Sequence, residues 1–241
     1  LFNYSFYELV WLFVIYAFLG WCLEVAIAKI QTGNFINRGF LNGPFCPIYG
    51  FSVMAVIILL SPFKSSLLVL FIGSVLLATF IEFITGYILE KTFNQKWWDY
   101  TDEPLNIKGY ICLWTSLAWG IACVIVIYIL QPLVNNFIHW LSNDVGNIIA
   151  ISLIIVLLTD LVVTISSLSK VRQKLIVLKD IRDKIGLMSK NISDNNLQEL
   201  DTLKNKYQVI IDRKIIGYNR IIKAFPKLNS EKPKTAKNQS K

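Results

Sequence analysis

Five apolar stretches occupy most of the first 168 positions, at roughly 8–30, 46–62, 65–89, 110–131 and 147–168. Crossing the hydrocarbon core of a bilayer takes about 20 such residues, and inside lipid the backbone must satisfy its own hydrogen bonds. The expected fold is therefore an all-α membrane protein of about five transmembrane helices. The second stretch is the shortest and opens with Cys46-Pro47, so it is expected to enter the membrane partway or to tilt little. The first lacks a basic leader and a small-residue cleavage site, and reads as a span rather than a signal peptide.

Charge divides the 241 residues sharply. After position 168 lie 18 of the 24 Lys and Arg and 7 of the 16 acidic residues, a net of +11, against −3 for the rest. The division predicts a transmembrane domain at 1–168, a cytosolic amphipathic helical hairpin at 169–225 and a disordered basic tail at 226–241. Basic residues are retained in cytosolic loops. Lys29 and Arg38 follow the first span, Lys91, Lys96 and Lys108 follow the third, and only Lys64 falls on the other side. An external N-terminus, a cytosolic C-terminus and two long cytosolic loops, 31–45 and 91–109, are expected in a plasma-membrane protein.

An internal repeat at an offset of 66 joins these loops to their helices. Gly20-Trp21-Cys22-Leu23-Glu24 aligns with Gly86-Tyr87-Ile88-Leu89-Glu90, and Gly43-Pro44-Phe45-Cys46 with Gly109-Tyr110-Ile111-Cys112. Two parallel helical hairpins plus a fifth helix would explain it.

Ionisable groups within apolar spans cost roughly 2.5–3.5 kcal/mol on insertion scales, so each is a functional candidate by default. Here they are Glu24, Glu82, Glu90 and Asp160. Glu82, Gly86 and Glu90 share one stripe of the third span. Asp160, a secondary candidate, has the simpler reading of pairing with a neighbouring helix. Arg38 lies in the stretch 34–50, where three glycines and two prolines fall within 12 residues, and would either neutralise Glu24 or Glu82 or present its fork to an anionic ligand group. In the second loop Trp98, Asp99, Tyr100 and Asn106 set polar tips among aromatic bodies, and would shape the mouth of a polar site.

These residues form recognisable blocks: Trp21 with Glu24, Arg38-Gly39-Phe40-Leu41 with Gly43-Pro44, Cys46-Pro47-Ile48-Tyr49-Gly50, Glu82 with Gly86 and Glu90, Trp98-Asp99-Tyr100, Asn106 with Gly109, Trp119-Gly120, and the late Ala224-Phe225-Pro226. Together they resemble the CmpB-like ABC transporter permease proteins of Gram-positive bacteria, densely over 16–120 and again near the end. The resemblance implies an integral plasma-membrane protein with a transport role. It carries no substrate and no catalytic residue.

The chain has no G-x-x-x-x-G-K-[ST] phosphate loop, so ABC-type transport would need a separate ATPase subunit. Nor does either loop contain a recognisable amphipathic coupling helix. The four cysteines form no C-x-x-C pair, and the lone His139 is expected across the membrane from the carboxylates. No catalytic residues, metal ligands or cofactor are therefore assigned, and nucleic-acid binding is not expected. Three uses of the polar site stay open. The preferred one is a transporter permease-like subunit with a cytosol-facing site for a small anionic or cationic solute. The second is a membrane enzyme working on a lipid or amphiphile through carboxylate acid/base or divalent-metal chemistry at Glu24, Glu82, Glu90 and Asp99. The third is a sensor or scaffold acting through its tail.

In that tail, Val171, Leu175, Leu178, Ile185, Met188 and Ile192 are spaced for one amphipathic helix. After a polar break at Ser193-Asp194-Asn195-Asn196, Leu200, Leu203, Tyr207, Ile210, Ile215, Tyr218, Ile222 and Phe225 suit a second. Its positive charge suits an anionic lipid surface, and the hairpin suits self-association.

Overall fold

A computed structural model describes residues 4–93, 96–141, 143–190, 197–212, 214–215 and 217–224. Their regular elements are all helices, with one isolated bridge between Ile107 and Ile111. The helices are α1 (Phe6–Thr32), α2 (Pro47–Leu60, extended by a 3-10 turn at Ser61–Phe63), α3 (Leu67–Phe93), α4 (Leu113–Ile125), α5 (Gln131–Trp140), α6 (Asn143–Lys190), α7 (Leu197–Asp212) and α8 (Tyr218–Ala224). Four helical stretches are long and apolar enough to cross a membrane: Phe6–Thr32, Leu67–Phe93, Leu113–Trp140 and Asp144–Ser189. The helix at Pro47–Phe63 is apolar but shorter. This is a multi-pass membrane protein with four candidate spans and one shorter apolar helix.

Local chemistry explains the boundaries. Ser5 and Glu8 close a capping box on α1, and Gly33, with φ of 72°, ends it by donating its N–H to the Lys29 carbonyl. Pro47 opens α2 at a position where an N–H would have had no partner. Pro132 would end a helix, since its ring clashes with the carbonyl four residues back. Instead the backbone passes through a π-helical turn at Val126–Leu130, where the Gln131 N–H bonds to Val126, and α4 continues into α5. The segment with His139 and Trp140, beyond the fourth apolar stretch at 110–131, thus completes one long helix.

The described residues divide between Leu161 and Val162 into two compact units. In the first, α1 packs on α2, α3 on α4 and α2 on α3. Trp11, Leu12, Tyr16, Ile57, Val134, Ile138 and Ala150 make one core cluster from α1, α2, α5 and α6. Val56, Leu70, Ala78, Cys123 and Ile127 make another from α2, α3, α4 and the π turn. Leu68, Leu76, Phe80, Trp114 and Ile121 remain exposed, an apolar exterior suited to lipid rather than water.

Both inter-helix loops fold back along the bundle. Leu41 packs with Val14 and Leu157, and the Cys46 N–H donates to the Ala17 carbonyl at 2.9 Å. Val14 lies 19 residues before Gly33, so the first loop climbs about 28 Å from the end of α1 before α2 starts. In the second loop Tyr100 reaches Glu82, 11 residues back from the end of α3, a climb of about 16 Å. The two hairpins share further detail. Glu24 and Glu90 each stand 22 residues before a buried, extended cysteine, Cys46 or Cys112, that precedes the next helix. Gly20 and Gly86 each face aromatic rings of the returning segment. A Cβ at Gly20 would sit 2.2 Å from the Tyr49 ring, and one at Gly86 would sit 3.2 Å from Tyr110.

The second unit departs from the expected hairpin in two places. No helix begins near 170, because α6 runs unbroken from Asn143 to Lys190. A change from apolar to charged side chains does not itself interrupt backbone hydrogen bonding. The second expected helix is divided, α7 ending at Asp212 and α8 starting after Gly217 with φ of 74°. Lys174 Nζ donates to the Ile211 carbonyl at 2.7 Å and lies over the Tyr218 ring, fastening these pieces together. The break at 193–196, Phe225 and the 226–241 tail lie outside the described residues.

Candidate functional site

Irregular backbone at membrane depth persists only where protein satisfies its polar groups, and each loop solves this differently. In the first, Trp21 Nε1 donates to Asn37 Oδ1 at 2.9 Å, the same oxygen accepts the Gly39 N–H, and Asn37 Nδ2 donates to the Asn42 carbonyl. Asp160 supplies the rest from α6. Its carboxylate accepts the Asn42 N–H at 3.2 Å, Asn42 Nδ2 at 3.0 Å and the Gly43 N–H at 2.7 Å. Asp160 therefore pairs with the first loop, where the simpler reading of the sequence has a neighbouring helix.

The second loop is tied mostly by its own residues. Asp99 Oδ1 accepts the Thr101 N–H and hydroxyl and lies 3.6 Å from Lys96 Nζ. Asn106 Nδ2 donates to the Thr101 and Glu103 carbonyls, while its Oδ1 accepts the Gly109 N–H. At Gly109 φ is 73°, and a Cβ would lie 2.5 Å from Thr101 Oγ1. Trp98 Nε1 donates to the Tyr110 carbonyl. Asp99, Asn106 and Trp98 thus spend these hydrogen bonds on the loop's own backbone and Thr101.

Tyr100 is the member of that group turned toward the bundle. Its hydroxyl donates to Glu82 Oε1 at 3.3 Å. Burial, and next the Glu82 carboxylate, hold the phenol above its usual ionisation range, so it stays a proton donor. Glu82 is 8% exposed, and its Oε2 is buried with no hydrogen-bond partner. Trp119 of α4 interacts with the same carboxylate, and Glu24 of α1 is an electrostatic neighbour. Glu24 accepts from the Tyr49 hydroxyl at 2.7 Å, and its other oxygen lies 4.0 Å from Arg38 Nε. Arg38 also donates to Gln31. The Tyr49 and Trp119 rings meet edge to face, 5.5 Å between centroids.

Of the candidates read from the sequence, the structure gathers Glu24, Arg38, Glu82 and Tyr100. Glu90 stands apart, beside the Tyr110 phenol, whose ionisation it opposes through a hydrogen-bond interaction. Among the described residues no group of three or more His, Cys, Asp or Glu side chains is placed to hold a metal ion. The alternative in which Glu24, Glu82, Glu90 and Asp99 bind a divalent cation finds no such grouping among them. Tyr49 and Trp119 were not singled out as site residues by sequence reasoning. Their signal was position, since each stands beside a glycine in one of the motif blocks.

A family model described as "Putative ABC-transporter type IV" matches residues 11–165, a range that holds both climbing loops and every residue named above from Trp11 to Asp160. No curated protein and no solved structure matches the chain.

Proposed function

The chain belongs to the putative ABC-transporter type IV family, and from that premise we propose that it is the membrane subunit of a transporter whose solute site lies where the two hairpins meet. Glu24, Tyr49, Glu82, Tyr100 and Trp119 line this site, Arg38 balances the charge of Glu24, and Glu90 stands at its loop-side approach. The single observation that supports it best is Glu82, a carboxylate buried in a span with one oxygen left without a partner. Such a group raises the cost of a purely structural arrangement and is the kind of feature found on substrate and ion pathways.

In this reading the loops face the cytosol, as the distribution of Lys and Arg suggests, and the tail lies beside the inner leaflet. ATP hydrolysis is supplied by a separate subunit, because the sequence contains no phosphate-binding loop of the P-loop type. The test is affinity purification of the tagged chain from its native membranes in mild detergent, with the co-purifying proteins identified by mass spectrometry. An ATPase subunit in near-stoichiometric yield is expected. Recovery of the chain with lipid alone would remove the ABC-type reading.

A further inference from the structure

The intramembrane carboxylates of the first unit are not equally neutralised. Asp160 accepts hydrogen bonds from two backbone N–H groups and an amide. Glu24 has a tyrosine hydroxyl and an arginine. Glu82 has one long hydrogen bond from Tyr100, the Trp119 indole, a neighbouring carboxylate and an Oε2 that, like that of Glu90, has no hydrogen-bond partner. Among the described residues no Lys, Arg or His nitrogen forms an ion pair with it. Leaving a carboxylate oxygen desolvated and unpaired is among the costlier choices a fold makes, so the missing positive charge is the natural ligand of the site.

Chemistry on the surrounding elements narrows which charge. The groups at Glu82 are the Tyr100 phenol of the second loop, the Trp119 indole of α4 and the Glu24 carboxylate of α1, and the Tyr49 phenol of α2 joins them through Glu24 and Trp119. Aromatic rings beside a carboxylate are the recognition set for an organic ammonium group, which binds ring faces as well as the anion. An alkali or divalent ion prefers several oxygens in a shell. An anionic solute would find Arg38 already engaged with Glu24 and Gln31. We infer that the solute handled at this site is cationic, a small organic ammonium ion whose positive group takes the place beside Glu82 Oε2. The inference rests on the solute-site reading above and gives it a substrate class.

Purified full-length protein in detergent would be titrated with tetramethylammonium chloride and with ethylammonium chloride, following the thermal unfolding midpoint. Sodium chloride at matched ionic strength and sodium acetate serve as comparisons. At least one ammonium salt should raise the midpoint saturably, with sodium chloride and acetate giving no saturable rise. Glu82→Gln should weaken the response at least about thirtyfold, the lower end of what losing one partner of a buried charge pair costs. It should also unfold no lower than the parent without ligand, because it removes an uncompensated charge, so loss of binding is separable from loss of fold. Trp119→Leu should weaken the response severalfold and Asp102→Asn should not change it. An equal response in Glu82→Gln, a sodium response matching that of the ammonium salts, or no saturable response in the parent would each overturn the inference. The purified chain needs no partner for this measurement. An absent ATPase with intact ammonium binding defeats the ABC-type reading alone, and a recovered ATPase with no ammonium response defeats this inference alone.

Discussion

The two hairpins of the first unit are built to one plan and finished differently. Each has a 27-residue helix, a loop that climbs back beside it, and a buried extended cysteine before the next helix. The first loop is held from outside by Asp160 of α6, and its glutamate is matched to Arg38. The second is held largely by Asp99 and Asn106 within itself, and Glu82 beside it is matched to nothing cationic among the described residues. A loop fixed by a distant helix is a structural partition. A self-contained loop that brings a phenol to an unneutralised carboxylate is better suited to respond to a ligand.

This contrast is open to direct attack. The largest effect is expected from Asp160→Ala, which strands two backbone N–H groups and an amide at membrane depth. At roughly 1–3 kcal/mol for each unsatisfied donor, the loss is about 3 kcal/mol or more, read as a large fall in the thermal midpoint in detergent. A fall no larger than that of a surface substitution would show that the first loop does not depend on α6. Next comes Gly20→Leu, where the new side chain overlaps the Tyr49 ring and must push α2 from α1. Overpacking of this kind costs about 1–3 kcal/mol, and should also uncouple Tyr49 from Glu24. Asn106→Ala removes three hydrogen bonds in an exposed loop, where water replaces much of what is lost, so about 1–2 kcal/mol is expected. If it equals or exceeds Asp160→Ala, the proposed difference between the loops is reversed. The smallest effect belongs to Arg38→Gln. Its pair with Glu24 is 4.0 Å long and the side chains are 33% and 25% exposed, so solvent screening leaves less than about 1 kcal/mol.

Much of this was legible in the sequence because membranes penalise exceptions. Glu24, Glu82, Glu90 and Asp160 stand out in apolar stretches by their cost alone, and glycine and proline marked both loops. Partners were harder. Asp160 holds Asn42 and Gly43 across 118 and 117 positions of sequence, a separation over which periodicity carries no information. Tyr49 and Trp119 look like any aromatic residues of a membrane helix until their neighbours are known. The helix ends failed for a simpler reason. Pro132 signals a stop that a π turn absorbed, and the entry of charge near 170 signals a boundary that backbone hydrogen bonding ignores.

The grip of Asp160 on the first loop also sets an order of events in biogenesis. The ribosome delivers Asn42 and Gly43 more than a hundred residues before the carboxylate that receives their N–H groups, while domains form from the N-terminus as the chain emerges. Until α6 arrives, the climbing loop could leave water only by giving up hydrogen bonds that nothing yet replaces. A nascent chain truncated after α5 should therefore hold α1 in the membrane with its first loop still in solvent, where a water-soluble maleimide reaches a cysteine placed at Asn42 and is shut out once residue 160 has been added.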